Sequence, residues 1–199
     1  MKPRPLIDTL DILAVRKQLY SKWLGRGVRV SELEHRMASW VGVRNAVAFG
    51  SGTTALTVAL LNIGARHVRV PVMDCPALYI AVSAAGCTAS SDGEDVISVY
   101  PEYPKREALI EDYARHLPRE HYIGLRRRFG VFSFGALKDV TGGIGGCLVS
   151  DSPFSVWDWR ELSPLSDINA ALILSQLDRY QGHTRLREVA EGKLWKSPS

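Results

Sequence analysis

Apolar positions change their period along the chain, and each change marks an element. Between residues 7 and 24, Leu10, Ile12, Leu13, Val15 and Leu19 keep rough helical spacing and Gly25 and Gly27 follow, so a helix ended by glycines is predicted there. Ser31-Glu32-Leu33-Glu34 has the Ser-x-x-Glu form of a capping box. Leu33, Met37, Trp40 and Val41 then fall on one face, which predicts a short amphipathic helix stopped at Gly42. Residues 46–49 form a short apolar, strand-like run, and residues 55–61 continue as an apolar helix to Gly64. Residues 68–72 read as a strand, 77–85 as an apolar helix ended by Gly86, 96–99 as a strand, and 107–112 as a strand ending in acid. Residues 131–134 and 147–149 are two further buried-strand runs. Residues 151–164 look irregular and contain Trp157 and Trp159. Ser166-Asp167 then caps a long helix through Ala170, Ile173, Leu174 and Leu177, and the tail after Gly192 is expected to fray.

Alternating strands and helices predict a three-layer α/β/α fold with a mostly parallel central sheet. One link strains that expectation. Between the strand at 96–99 and the strand at 107–112 there is little more than Pro101-Glu-Tyr-Pro-Lys-Arg106. A parallel crossover usually needs about a dozen residues, commonly as a helix, and two prolines exclude one here. Either the two strands are not sheet neighbours or a crossover helix has been lost.

Composition narrows the class. A chain of 199 residues with 46% hydrophobic content can build one well-cored domain. No apolar run reaches the length of a membrane span and the first residues lead into no signal-like segment, so a soluble, cytoplasmic protein is expected. Cys75, Cys87 and Cys147 are an odd number without metal-ligand spacing, which argues against a disulfide framework. The net charge of +4 is mild. It slightly favours an anionic ligand and says little for nucleic acid. Arg126-Arg127-Arg128 reads as a solvated face, with no nucleic-acid-binding module beside it.

Three places could carry chemistry. Lys138 stands between the apolar run at 131–134 and Gly142, Gly143, Gly145 and Gly146. Glycines let a backbone lie close to a sheet edge, and an amine held there loses hydration, loses basicity and can condense with an aldehyde cofactor. The alternative is a surface loop with a solvated lysine. Gly50-Ser51-Gly52-Thr53-Thr54 opens a helix, where unpaired first-turn amides and the helix dipole suit a phosphate. The alternative is a plain Ser/Thr cap, the commoner use of such residues. The third place is the acid at a strand end, Asp112.

These places occur in chain order, and here the sequence resembles a family. Val28-Arg-Val-Ser-Glu-Leu-Glu34, Phe49-Gly-Ser-Gly-Thr-Thr-Ala-Leu56, Leu109-Ile-Glu-Asp-Tyr-Ala114, Phe132-Ser-Phe-Gly-Ala-Leu-Lys138 with Thr141-Gly-Gly-Ile-Gly-Gly146, and Leu165-Ser-Asp-Ile-Asn-Ala-Ala171 resemble successive segments of the DegT-type nucleotide-sugar aminotransferases. These are fold-type I enzymes that use pyridoxal 5'-phosphate (PLP). The segment around Lys138 is the most specific. The resemblance implies the large domain of a PLP-dependent transferase over residues 1–199, with the family's C-terminal small domain lacking. It implies that Lys138 forms the internal aldimine and shuttles the proton. Asp112 would pair with the pyridinium nitrogen, and Ser51, Gly52, Thr53 and Ser133 would hold the phosphate. It also implies a homodimer, for which Trp157, Trp159 and the apolar face of the last helix are candidate contacts. The substrates would be an amino donor and a keto sugar.

The departures from the family are specific. Its ring-stacking aromatic falls at Cys75 and the Gln that follows its acidic strand falls at Arg115. The Glu of its glycine turn falls at Ile144, and an Asn that reaches the phosphate from the second subunit falls at Leu162. Two expectations follow from different classes. One is a minimal PLP-dependent aminotransferase. The other is a catalytically degenerate relative that keeps the fold as a binding or partner protein.

Overall fold

The structure, a computed structural model, describes residues 6–70, 76–94, 96–99, 108–115, 117, 125–156 and 158–180. In chain order the elements are α1 (Thr9–Tyr20), α2 (Val28–Val41), β1 (Asn45–Phe49), α3 (Gly52–Ile63), β2 (His67–Arg69), α4 (Pro76–Ala84), β3 (Thr88–Ser90), β4 (Ile97–Val99), β5 (Ile110–Asp112), β6 (Phe129–Ser133), β7 (Gly146–Ser150), α5 (Trp159–Leu162) and α6 (Asp167–Leu177). Among the described residues five strands form the central sheet in the order β1-β7-β6-β5-β4, and β2 with β3 forms a separate parallel pair. Only β7 runs against its neighbours in the central sheet: β1 and β6 both pair with it antiparallel, while β6, β5 and β4 pair in parallel.

Alternation along the strands divides the core in two. Phe49, Ile110, Phe129, Val131 and Leu148 face a cluster completed by α3 and α4. Ala48, Phe132, Cys147 and Val149 face the other side, where α2 and α6 supply Val30, Leu33, Met37, Ala170 and Ile173. With side chains on a period of two, one sheet serves both helical layers, and α1 lies outermost on α6. The expected three-layer arrangement with a mostly parallel sheet is therefore what the chain adopts.

The helix starts differ from the sequence reading in one instructive way. Ser31 does not begin a helix: α2 starts at Val28, and Gly27 caps it without a side chain. The buried Asp167 does that work from α6, its Oδ1 accepting from Gly27 N at 2.8 Å and from Val30 N at 3.0 Å. A carboxylate there meets two orphan donors and the positive end of the helix dipole. Ser31 Oγ donates to Gly27 O at 3.3 Å from within the first turn. A reciprocal capping box does exist, but on α1. Asp8 accepts from Leu10 N and Asp11 N, and Asp11 Oδ2 accepts from Asp8 N. α1 itself is shorter than the predicted 7–24, because Lys22 turns to φ 61° just after it.

Two other expectations are decided here. β4 and β5 are parallel sheet neighbours, with Ile97 opposite Ile110 and Val99 opposite Asp112, so the alternative that they are not adjacent is excluded. Of the residues that link them, 100–107 lie outside the described ones. β3 is missing from the sequence reading because Thr88, Ala89 and Ser90 carry no apolar pattern. They are ordered instead by parallel pairing with β2. The apolar face of α6 is not free for a second subunit: Ala170, Ala171, Ile173 and Leu174 are buried in the core beneath α1 and α2. Trp159 is half-buried against the other core cluster, and Trp157 lies outside the described residues. Among the described residues no helix is long and apolar enough to cross a membrane, and Cys87 and Cys147 are free thiols.

Candidate active site

The site residues gather at one edge of the sheet because the strands that carry them point the same way. β1, β6 and β5 all end there, and β7 begins there, with Gly146 opposite both Phe49 and Ser133. In open α/β sheets this edge, outside the carboxyl ends of the strands, is the usual ligand crevice. Asp112 and Ser133 both project to the α3 side, since they share strand parity with Ile110 and with Phe129 and Val131.

The turn from β1 into α3 is packed too tightly for side chains. A Cβ on Gly52 would lie 2.8 Å from Ser133 Cβ and 3.1 Å from Ser133 Oγ. A Cβ on Gly146 would sit 2.3 Å from the backbone carbonyl of Ser51. The start of α3 therefore presses directly on the ends of β6 and β7. Ser51 is the N-cap of α3: its Oγ accepts from Thr54 N at 3.1 Å and lies 2.9 Å from Thr54 Oγ1, which donates on to Ser163 Oγ at 3.1 Å. The Ser51 hydroxyl is thus engaged in the cap. What the turn presents to a ligand is those first-turn amides of α3 that the Ser51 cap does not take, and the Thr53 hydroxyl. Behind the turn, Gly50 N donates to Ser163 O at 2.7 Å.

Lys138 follows β6 in a tight loop. Its amide donates to Gly135 O at 3.0 Å, and a Cβ on Gly135 would lie 3.8 Å from Ser133 Oγ and 3.9 Å from Lys138 Cγ. The lysine stem and the Ser133 hydroxyl thus flank one glycine. Lys138 is half-buried and forms no ion pair among the described residues. The loop closes on itself: Gly142 N donates to Phe134 O at 2.9 Å and Phe134 N donates to Gly145 O at 2.8 Å. Asp112 stands at the end of β5, beside Val131 of β6. It is only 6% exposed, and its Oδ1 accepts from Ala114 N at 2.8 Å.

The structure brings Ser51, Gly52, Thr53, Ser133, Lys138 and Asp112 to this edge. Arg115 follows Asp112 closely but is exposed. Cys75 lies outside the described residues. Ile144 and Leu162, which stand where the family has polar groups, are exposed. Arg126 and Arg128 are exposed as a solvated run would be, with the Arg128 guanidinium 5.3 Å above the Phe129 ring.

Sequence reasoning missed the residues that brace the glycine turn from behind. Asn169 Nδ2 donates to Gly142 O at 2.7 Å, and Gln176 Oε1 accepts from Thr141 N at 2.8 Å. Ile173 packs where a Cβ on Gly142 would fall. Residues 169, 173 and 176 lie on one face of α6, and the signal was there: two amides seven residues apart on an otherwise apolar helix.

A donor-lined turn, a carboxylate and an amine on one sheet edge suit a cofactor that carries a phosphate, a basic ring nitrogen and an aldehyde. The fit rests on what the protein leaves open. No hydrogen bond within the described residues engages the hydroxyls of Thr53 and Ser133 or the Lys138 amine.

Comparisons with known proteins bear on the sequence and the fold. Residues 5–90 match the DegT/DnrJ/EryC1/StrS aminotransferase family, which carries the resemblance read from the motifs over the first part of the chain. The fold is that of solved sugar aminotransferases. PseC of Helicobacter pylori, an aminotransferase involved in the biosynthesis of pseudoaminic acid, is 20% identical with a TM-score of 0.72, over 90% of this chain and 65% of its own. The putative sugar aminotransferase Spr1654 of Streptococcus pneumoniae, solved in a PLP form, is 21% identical with a TM-score of 0.75, over 96% of this chain and 69% of its own. The aminotransferase TlmJ of Streptoalloteichus hindustanus is 22% identical with a TM-score of 0.76, over 96% of this chain and 69% of its own. This chain therefore spans about two thirds of the length of the structures it matches.

Proposed function

We propose that this chain is a PLP-dependent aminotransferase-like protein of the DegT type that moves an amino group from a donor to a keto sugar. One observation carries the reading: Gly52 presses on Ser133 at the same sheet edge that bears Asp112 and Lys138. When bound, the cofactor supplies an aldehyde and an electron-accepting ring. The first-turn amides of α3, with the hydroxyls of Thr53 and Ser133, would hold its phosphate. Asp112 would face the ring nitrogen and keep a proton on it, since a buried carboxylate favours a neighbouring cation. Lys138 Nζ would bind the aldehyde covalently and afterwards carry the proton between carbons. Ser51 contributes by fixing the start of α3, and Cys75 and Arg115 take the ring-side positions of the family's pattern.

The described residues are read as one large-domain unit, and the protein as cytoplasmic. A homodimer is part of the reading. With the α6 face buried, its support comes from α1 and the elbow after it, where Tyr20 is 78% and Val28 77% exposed beside Trp23 and Leu24. Large exposed apolar side chains gathered on one short stretch of chain are the material of interaction sites.

The second reading, a degenerate relative that serves as a binding or partner protein, is favoured by Leu162, Ile144 and Arg115 at positions where the resemblance implies Asn, Glu and Gln.

The deciding experiment is titration of the purified protein with PLP, followed by borohydride reduction and peptide mapping. The expected result is a new near-visible absorbance and cofactor fixed on Lys138. In Lys138→Ala both should vanish while circular dichroism stays unchanged. Identical spectra for wild type and Lys138→Ala would leave only the degenerate relative.

A further inference from the structure

We infer that Gln176 is a positioning residue for the Lys138 loop, holding the loop's rear foot and tying it to α1. The inference rests on the cofactor reading for Lys138. Its geometry stands by itself.

Gln176 is 1% exposed and uses both ends of its amide. Its Oε1 accepts from Thr141 N at 2.8 Å. Its Nε2 donates to Asp11 Oδ2 at 3.3 Å and to Leu6 O at 3.2 Å. Asp11, 0% exposed, is fastened in turn: its Oδ1 takes a hydrogen bond from Arg179 Nη2 at 2.5 Å, and Arg179 also pairs with Asp8 at 3.0 Å. A buried polar path thus runs from the start of α1, through α6, to Thr141.

Thr141 is where the Lys138 loop ends and the glycine turn begins. Its neighbour Gly142 closes the loop by donating to Phe134 O, and Thr141 Oγ1 accepts from Gly143 N at 2.9 Å. Lys138 lies between these two feet, Phe134 just past the end of β6 and Thr141 in the turn. The front foot is set by β6. The rear foot lies outside any strand, and besides the Gly142 backbone bond to Phe134 O it is held by side chains from α6. Thr141 is itself buried, so without Gln176 its N–H would be left unpaired, as would one acceptor position of Asp11. A buried donor left unpaired is costly, and the turn relieves that cost only by moving toward another acceptor or water, which carries the foot of the Lys138 loop with it.

The choice of Gln has a reason. The site needs an acceptor toward Thr141 N and a donor toward a carboxylate, and a neutral amide supplies both. Glutamate would place a second carboxylate against Asp11, and leucine would fill the space with neither bond.

The test compares wild type with Gln176→Leu in the full chain, using two readouts. The first is amide exchange. Thr141 and Gly143 should exchange about tenfold faster or more in the variant while the α3 amides keep their rates. The second is borohydride trapping of PLP on Lys138, scored against Lys17 as an internal surface standard. Trapping should fall about tenfold, since small misplacement of a reacting group costs that much or more. Unchanged exchange at Thr141 overturns the inference, and so does faster exchange with undiminished trapping, which would make Gln176 merely structural. If wild-type Lys138 is not trapped at all, the cofactor reading fails, and the exchange result alone decides whether Gln176 holds the loop. If Gln176→Leu does not fold, wild-type exchange decides. A Thr141 amide that opens with the amides of α6 supports the inference, and one that exchanges as fast as the exposed residues Ala136 and Leu137 overturns it.

Discussion

Against one face of the central sheet, α3 and α4 lay almost only carbon: Leu56, Val58, Leu60, Leu78 and Val82 meet Phe49, Ile110, Phe129 and Leu148. The buried hydroxyl of Thr57 is spent within its own helix, on Thr53 O. Against the other face, α2 and α6 bring carbon and buried polar ties together. Glu34 Oε1 accepts from Ala48 N at 2.9 Å on the edge strand and pairs with Arg160. Asp167 caps α2, and Asn169 and Gln176 hold the glycine turn. The difference is one of task. Apolar packing is non-directional and stabilises a layer as a whole. Hydrogen bonds are directional and specify where one loop or helix start must lie. The candidate site draws on both, since Asp112 and Ser133 project from the apolar side while the Lys138 loop is braced from the polar side.

The comparison breaks first on stability. Leu60 is fully buried in the apolar cluster, and Leu60→Ala should cost about 3 kcal/mol through lost burial and a residual cavity. Urea unfolding should show it, while amide exchange at Thr141 relative to the global rate stays unchanged. A Leu60→Ala variant that loosens the glycine turn selectively would mean that the two faces are not separable.

On the polar side the expected losses are smaller and local. Asp167→Ala leaves Gly27 N and Val30 N without their acceptor and should cost about 2 kcal/mol, combining a lost cap with a buried unpaired donor. Asp167→Asn keeps an acceptor and loses the charge at the helix start, which is worth about 1 kcal/mol. Unfolding midpoints rank the pair. Equal costs for both variants would show that charge alone matters and that the hydrogen bonds do not.

The same division explains what could be read from the chain. The apolar layer is written in local runs, so the short apolar stretches at 46–49 and 131–134 and the apolar helix after Thr53 point to both the sheet and one helical layer. The motifs point to Lys138, Asp112 and the Gly52 turn as candidates, and the structure brings all three to one sheet edge. The ties across the polar face were not legible. Asp167 reaches Gly27 across 140 residues and Gln176 reaches Asp11 across 165, and no local pattern encodes such a pairing. That is why Ser31, a good capping residue by its neighbours, was read as a helix start that Asp167 supplies instead. β3 was missed for the complementary reason: its order comes from pairing with β2 and not from its own residues.

The smallest expected effect sharpens the comparison by asking how dry the polar face is. Cys147 sits on β7, fully buried among the residues of α2 and α6. Burial raises its thiol pKa well above the ordinary 9.0, and the charge of Glu34 adds to the rise, against smaller opposing effects from a backbone hydrogen bond at Val47 and from Arg160. The folded protein therefore keeps this proton at a pH where the unfolded chain releases it. Below pH 9 both states hold the proton and the thiol adds no pH dependence. Above it the unfolded state binds fewer protons, so stability falls as pH rises. Other groups titrate in the same range, so the useful quantity is the stability difference between wild type and Cys147→Ala. That difference should be constant at neutral pH and should shift against wild type by about 1.4 kcal/mol per pH unit above pH 9. Urea unfolding from pH 7 to 10.5 measures it. A difference that stays flat across the range would mean that the thiol ionises as readily folded as unfolded, and so that water reaches β7 beneath α2 and α6.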